Sequence, residues 1–323
     1  MINMNLNFKT PQDKTQVIKS KVSLGEDVFY GEAYKIAEDK IKKFTNHSYC
    51  NLTNSGNSSI FLALIASTRN IIIPDQGAWN GFRQFSKLLN KEIEILKTDI
   101  GIINTDYLDD LNINNDSTLI FTSFAAYSGE QDIKSISKYC KDNNILLIED
   151  ASGGICDNKK RLANGKYSDI IVGSTGSPKM INVGNGGFIT FSNNDFLDKI
   201  KIPYKIAKCD YITSCGISCE VDFTENIFKK TVTACKYLKS NLDDVIHLDK
   251  RGLNVIIRCE NPKTTLTSLK KNINLDKGNL FTLCPNYNRV KEKAIAIEIK
   301  NLNPSNLKKE ILDELIEIVK IYQ

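Results

Sequence analysis

Between about residues 50 and 190 the chain alternates short apolar runs with amphipathic helical stretches. "YCNLTNS" leads into "GNSSIFLALIAST", and "NIIIP" into "WNGFRQFSKLLN". "EIEILKTD" and "STLIFTSF" follow, then the helical "DIKSISKYCKDNN" with Ile133, Ile136 and Tyr139 on one side, then "ILLIEDAS", "SDIIVGST" and "GGFITFS". Strands that are apolar at consecutive positions have both faces covered, and helices between them make the connections of a mainly parallel sheet. The expected fold class is therefore α/β. Past residue 200 the pattern changes to a helix at "FKKTVTACKYLKSNL", strands at "GLNVIIRCE" and "KAIAIEIKN", and an amphipathic terminal helix opened by Pro304 and Ser305. We expect a large domain over residues 1–200, including an N-terminal arm, and a smaller α+β domain over 201–323.

Composition narrows the class of function. A net charge of +5 with both signs interspersed is a solvated surface rather than a nucleic-acid footprint. No apolar run approaches the roughly 20 residues of a membrane span, and "MINMNLNFKTPQDK" has no signal-peptide core. These features lead us to expect a cytoplasmic protein acting on small molecules. Nine cysteines, an odd count, fit free thiols or metal ligands better than a disulfide framework.

Ligands of parallel sheets bind beyond the carboxyl ends of the strands. Three stretches lie there. "TNSGNSS", Thr53 to Ser59, sits between a strand and a helix, where amides at a helix N-terminus hold phosphate; the plainer function of such residues is a helix cap. Asp150 ends the apolar "LLIED", where a carboxylate is costly unless it is paired. It is a candidate for a cation or a protonated nitrogen, or for capping the next segment. "GSTGSPKMINVGNGG" sets Lys179 alone among small residues. A desolvated lysine has a lowered pKa and attacks aldehydes. Phosphate site, buried carboxylate and nucleophilic lysine together suggest pyridoxal phosphate: one anchors the phosphate, one keeps the pyridine nitrogen protonated, one forms the Schiff base.

The same residues resemble the DegT/StrS aminotransferases, pyridoxal phosphate enzymes of fold type I. That family's S-x4-K-x4-G-E-G-G appears as Ser174, Lys179, Gly184, Asn185, Gly186 and Gly187, with asparagine in place of the glutamate. Its "SGTAAL" matches "SGNSSI" and its "VIEDAA" matches "LIEDAS". Its glutamine or histidine three residues after the aspartate is here Gly153. The resemblance spans roughly residues 25 to 200. It implies that Lys179 binds the cofactor and moves the proton, that Asp150 pairs with the ring nitrogen, and that Ser55, Gly56, Asn57 and Ser174 surround the phosphate. It places Trp79, from "PDQGAW", over the cofactor ring; a core or interface position is the alternative. It further implies a homodimer, and transfer of an amino group from glutamate to a keto substrate such as a keto sugar.

Cys209, Cys215 and Cys219 in "KCDYITSCGISCE" fall outside that pattern. Thiolates this close suggest an iron-sulfur cluster or zinc, with Cys235, Cys259 or Cys284 as a fourth ligand; the alternative is free thiols. A cluster here would favour a pyridoxal phosphate-dependent lyase or sulfur-transfer enzyme instead.

Overall fold

A computed structural model describes residues 4–111, 113 and 116–323. After β1 (Met4–Leu6), α1 (Asp13–Ser23) and α2 (Ala33–Thr45), the chain builds a seven-stranded sheet. Its strands are β2 (Tyr49–Thr53), β3 (Asn70–Pro74), β4 (Glu92–Leu96), β5 (Ser117–Thr122), β8 (Leu146–Asp150), β9 (Ile170–Ser174) and β10 (Gly187–Phe191). A small hairpin, β6 (Phe124–Ala125) and β7 (Gly129–Glu130), follows β5. The spatial order is β2-β10-β9-β8-β5-β3-β4. Only β10 runs against its neighbours; the pairs β3–β4, β3–β5, β5–β8 and β8–β9 are parallel.

Successive side chains of a strand enter opposite faces, and here both faces are core. Ile72, Leu119, Phe121 and Leu147 join one buried cluster; Ile71, Ile73, Ile120 and Ile148 join the other. That is why these strands are apolar at consecutive positions. Helices α3 (Gly56–Ala66), α4 (Gly81–Leu88) and α5 (Ile133–Asp142) connect them.

The second half contains α6 (Asp195–Ala207), α7 (Tyr211–Asn241), β11 (Val245–Ile246), β12 (Val255–Arg258), α8 (Pro262–Asn272), β13 (Ile273–Leu275), β14 (Phe281–Leu283), β15 (Ala294–Ile297) and α9 (Lys309–Tyr322). An antiparallel sheet is ordered β11-β12-β15-β14, while β1 pairs in parallel with β13. Helix α7 bridges the two cores. Its Ile217, Val221 and Phe228 pack with the large sheet, and its Ala234, Cys235 and Leu238 with the second core.

Two helix boundaries differ from the sequence expectation. Helix α7 begins at Tyr211, well before Phe228, because Asp210 caps it by accepting the N–H of Thr213 at 2.8 Å. Its small residues, Ser214, Gly216 and Ser218, are buried: they let neighbouring segments approach and hide the helical signal. Pro304–Asn306 forms a separate short 3-10 turn capped by Asn303, and α9 starts only at Lys309.

Candidate active site

β2 and β9 both pair antiparallel with β10, so they run the same way, and their ends share an edge with the end of β8. There a cavity of about 460 Å³ opens, lined by Ser55, Gly56, Asn57, Trp79, Asp150, Ser174 and Lys179. Every cofactor-site residue singled out from the sequence borders this one space.

Ser55 serves as the cap of α3: its hydroxyl accepts the N–H of Ser58 at 3.1 Å. Gly56 opens the helix, and a Cβ there would lie 2.5 Å from the Cβ of Ser174. Only glycine lets the helix N-terminus come this close to the end of β9. Asn57 accepts a hydrogen bond from the Trp79 indole at 3.1 Å. The unbonded amides of the first turn of α3 thus border the cavity, where they favour an anion.

Asp150 is buried at the tip of β8. Its Oδ1 accepts both the N–H of Ser152 at 2.9 Å and its hydroxyl at 2.6 Å, so the carboxylate does cap the following turn. The Ser152 hydroxyl in turn accepts the N–H of Ser174 at 2.9 Å. Oδ2 accepts nothing among the described residues and is left for the cavity. Burial raises the pKa of Asp150, with Ser152 and the nearby Lys179 acting in the opposite sense.

Lys179 lies on the turn between β9 and β10, its N–H bonded to Gly176 O at 2.8 Å. Its Nζ donates to the Tyr127 hydroxyl at 2.7 Å. Burial pulls its pKa down, as the sequence suggested, but Tyr127 and Asp150 outweigh burial and the net direction is upward. The ammonium is the favoured form, and a proton must leave before the amine attacks a carbonyl.

The opposite wall was not found from the sequence. Tyr127, Thr282, Asn286, Asn288, Arg289 and Lys300 border the cavity too. Three cations surround the Tyr127 ring: Lys300 Nζ at 4.9 Å, Lys179 Nζ at 5.1 Å and Arg289 Cζ at 5.5 Å from its centroid. Behind them Glu298 accepts from Arg289 Nε at 2.7 Å and Nη2 at 2.8 Å, from Lys300 Nζ at 2.8 Å, from the Thr282 hydroxyl at 2.6 Å and from Asn254 at 2.7 Å. Burial pushes the Glu298 carboxyl up, but Lys300 and Arg289 outweigh it and hold it well below the usual carboxylate range. Burial brings Lys300 down to about 8, against the pull of Glu298. One signal was available: Glu298 and Lys300 follow the apolar strand "AIAI" as Asp150 follows "LLIE".

The cysteines are a correction. Among the described residues no group of three His, Cys, Asp or Glu side chains is placed to hold a metal ion. Cys209 precedes α7, while Cys215 and Cys219 lie within it, and all nine cysteines are free and buried. Burial lifts the thiols of Cys209 to about 12 and Cys215 to about 11, so both are protonated thiols here. Cys215 and Cys219 pack within α7, and the metal site expected of the cysteine triad is not formed among the described residues.

Residues 113–231 match the model of the DegT/DnrJ/EryC1/StrS aminotransferase family. Over that stretch the chain is similar to these aminotransferases. The matched stretch contains Asp150, Ser174 and Lys179, so the resemblance carried by their motifs is borne out. Residues 225–320 match a second model, the MJ1341 family C-terminal domain. No curated protein matches in sequence. Among solved structures, NtdA from Bacillus subtilis with bound cofactor PMP superposes with a TM-score of 0.72 at 16% identity, covering 97% of this chain and 82% of that one. 3-Amino-5-hydroxybenzoic acid synthase gives 0.73 at 12% identity, covering 98% and 97%. Serine palmitoyltransferase from Sphingomonas wittichii gives 0.75 at 13%, covering 98% and 86%. At these identities the likeness establishes the fold, the fold type I architecture expected from the motifs. No helix is long and apolar enough to cross a membrane among the described residues.

The donor set suits pyridoxal phosphate. An amine, a carboxylate with one unused oxygen and a helix N-terminus converge on one cavity, matching an aldehyde, a ring nitrogen and a phosphate.

Proposed function

We propose that this chain is a pyridoxal phosphate-dependent aminotransferase that moves an amino group from an amino acid, with glutamate as the first candidate, to a keto substrate such as a keto sugar. The convergence of Lys179, Asp150 and the α3 N-terminus on one cavity carries the reading. Bound there, the cofactor supplies an aldehyde for the substrate amine and a ring that withdraws electrons from the adjoining carbon. Asp150 Oδ2 holds the proton on the ring nitrogen, a role suited to a buried carboxylate with no cation already bonded to it. The first amides of α3 and the Ser174 hydroxyl bind the phosphate, and Trp79 bounds the cavity beside them.

Lys179 Nζ anchors the cofactor and carries the proton at the substrate carbon bearing the amino group. The Tyr127 hydroxyl aims that amine. Arg289 and Lys300 give the facing wall a positive charge, suited to the carboxylates of an amino-acid donor. The family resemblance supports a homodimer, and nine free cysteines support a reducing, cytoplasmic setting. Sedimentation of the purified protein tests the first.

Borohydride reduction of the cofactor-loaded protein, followed by peptide mapping, tests the core of the reading. The pyridoxyl label is expected on Lys179. A label elsewhere, or none on loaded protein, overturns it. Glutamate alone should then bleach the visible cofactor band and release 2-oxoglutarate, which separates transamination from other chemistry on the same cofactor.

A further inference from the structure

The segment before α1 contains an unusual residue. Lys9 is 1% exposed, and a lysine is almost never buried so fully without a partner. Its partner is the site lysine's own backbone: Lys9 Nζ donates to Lys179 O at 2.7 Å. Two more bonds fix Lys9 between the halves of the molecule. Its N–H donates to Asn301 O at 2.7 Å, next to Lys300, and its carbonyl accepts from Asn182 Nδ2 at 3.1 Å on the Lys179 turn.

The far end of that turn is held in the same way. Lys19, from α1, donates Nζ to Val183 O at 2.6 Å. Close packing enforces the approach, since a Cβ on Gly216 of α7 would meet Lys19 Cδ at 3.0 Å and Val183 Cβ at 3.3 Å. α7 also anchors the segment through the buried Glu220, whose Oε2 accepts the Gln12 N–H at 3.1 Å and the Thr15 hydroxyl at 2.6 Å. Gln12 makes no side-chain cap of α1, so Glu220 supplies one from outside the helix. The second oxygen, Oε1, is buried without a partner, and its carboxylate is the counter-charge of Lys9.

We propose that Lys9 is a positioning residue, the buried end of an N-terminal strap that fixes the Lys179 turn and sets where the Lys179 amine stands in the cavity. Lys179 O accepts the only hydrogen bond described for Lys9 Nζ. Burial brings the Lys9 amine down to about 7 against the pull of Glu220, but the amine donates in either state, so the loss of the bond is local. Burying an ammonium to hold one carbonyl is costly, and a neutral side chain would fill the space at less cost. A site lysine displaced by about 1 Å can lose about 100-fold in rate, which is the penalty the strap avoids. The inference rests on Lys179 being the cofactor lysine, and the test separates the two claims.

The variant Lys9→Met keeps the stem and removes the donor. In cofactor-free protein, amide exchange over residues 176–183 is expected to quicken about tenfold, the loss of one hydrogen bond, while β8 and β9 keep their rates. In loaded protein the visible band of the Lys179-bound cofactor should weaken or shift, and kcat should fall about 10- to 100-fold with KM for glutamate within twofold. Unchanged exchange in the turn, or an unchanged band with unchanged kcat, overturns the proposal. Should wild-type protein never take up the cofactor, the functional reading fails and the exchange measurement alone decides on the strap. Should Lys9→Met not fold, Asn182→Ala releases the strap's other hold on the turn, and the same outcomes decide.

Discussion

Asp150 and Glu298 are both buried carboxylates at the ends of apolar strands, one lining the cavity and the other behind its facing wall, and their states are opposite. Glu298 is saturated: Arg289 and Lys300 bond to it and hold its carboxyl low. Asp150 receives only Ser152, on one oxygen, and burial drives its carboxyl up. A carboxylate whose protein partners are complete serves the fold; one left incomplete in a cavity awaits a ligand. The difference assigns structure to one carboxylate and chemistry to the other, and mutations can break it.

The largest effect falls on the chemical wall. Lys179→Ala should lower transamination by about 10³-fold or more, because the group that both anchors the cofactor and moves the proton is gone. Stability should fall modestly, since the Nζ hydrogen bond to Tyr127 and the attraction to Asp150 are both lost. Steady-state rates beside a melting curve check this; a variant with a tenth of wild-type activity would move the chemistry to another residue.

Glu298→Gln strikes the structural wall. It leaves two buried cations without their counter-charge, which costs about 3–5 kcal/mol. The pH dependence follows. Glu298 has a folded pKa below its unfolded value of about 4.3, so its stabilisation is complete above that value and is lost as pH falls through the folded one. Wild-type protein should therefore lose stability below about pH 4 more steeply than the variant. Denaturant midpoints from pH 7 down to 3 read both effects, and parallel curves would show that Glu298 carries no special stability.

Asp150→Asn should do the reverse of Glu298→Gln. Activity should fall about 10²-fold or more, because the ring nitrogen loses its counter-charge. The cofactor-free protein should be as stable as wild type or more so, since a buried charge held up in pKa is a burden on the fold. A stability loss matching that of Glu298→Gln would erase the contrast between the two carboxylates.

The sequence revealed these walls unequally for a physical reason. Lys179, Asp150 and Ser55–Asn57 sit in short continuous stretches where a strand end, a turn and a helix start are adjacent in the chain, so their pattern is local. The facing wall is assembled across distance: Tyr127 from the hairpin after β5, Arg289 from the loop before β15, Lys300 after it. Each is unremarked in its own window and gains meaning only when the second sheet closes on the first. The cysteines teach the converse, since Cys209, Cys215 and Cys219 are close in sequence yet are not gathered into a metal site among the described residues: one precedes α7 and two lie within it. The early strands were legible because both their faces are core; the start of α7 was not, because its small buried residues carry no apolar period.

Trp79 gives the finest test of the comparison, since it lies on the chemical wall yet is 39% exposed. Its indole donates to Asn57 and lies close over α4, where a Cβ on Gly81 would come within 2.4 Å of Nε1. The ring is therefore held in place by a helix start rather than by a core. Trp79→Phe keeps an aromatic face but loses one neutral hydrogen bond, worth about 0.5–1.5 kcal/mol. Cofactor affinity should weaken about two- to tenfold, with the melting temperature of cofactor-free protein unmoved. Gly81→Ala, which leaves the indole intact but forces it off its seat, should weaken the cofactor to a similar degree. If both variants bind the cofactor as wild type does but melt early, Trp79 belongs with Glu298 as a structural residue, and the chemical wall ends at Asn57.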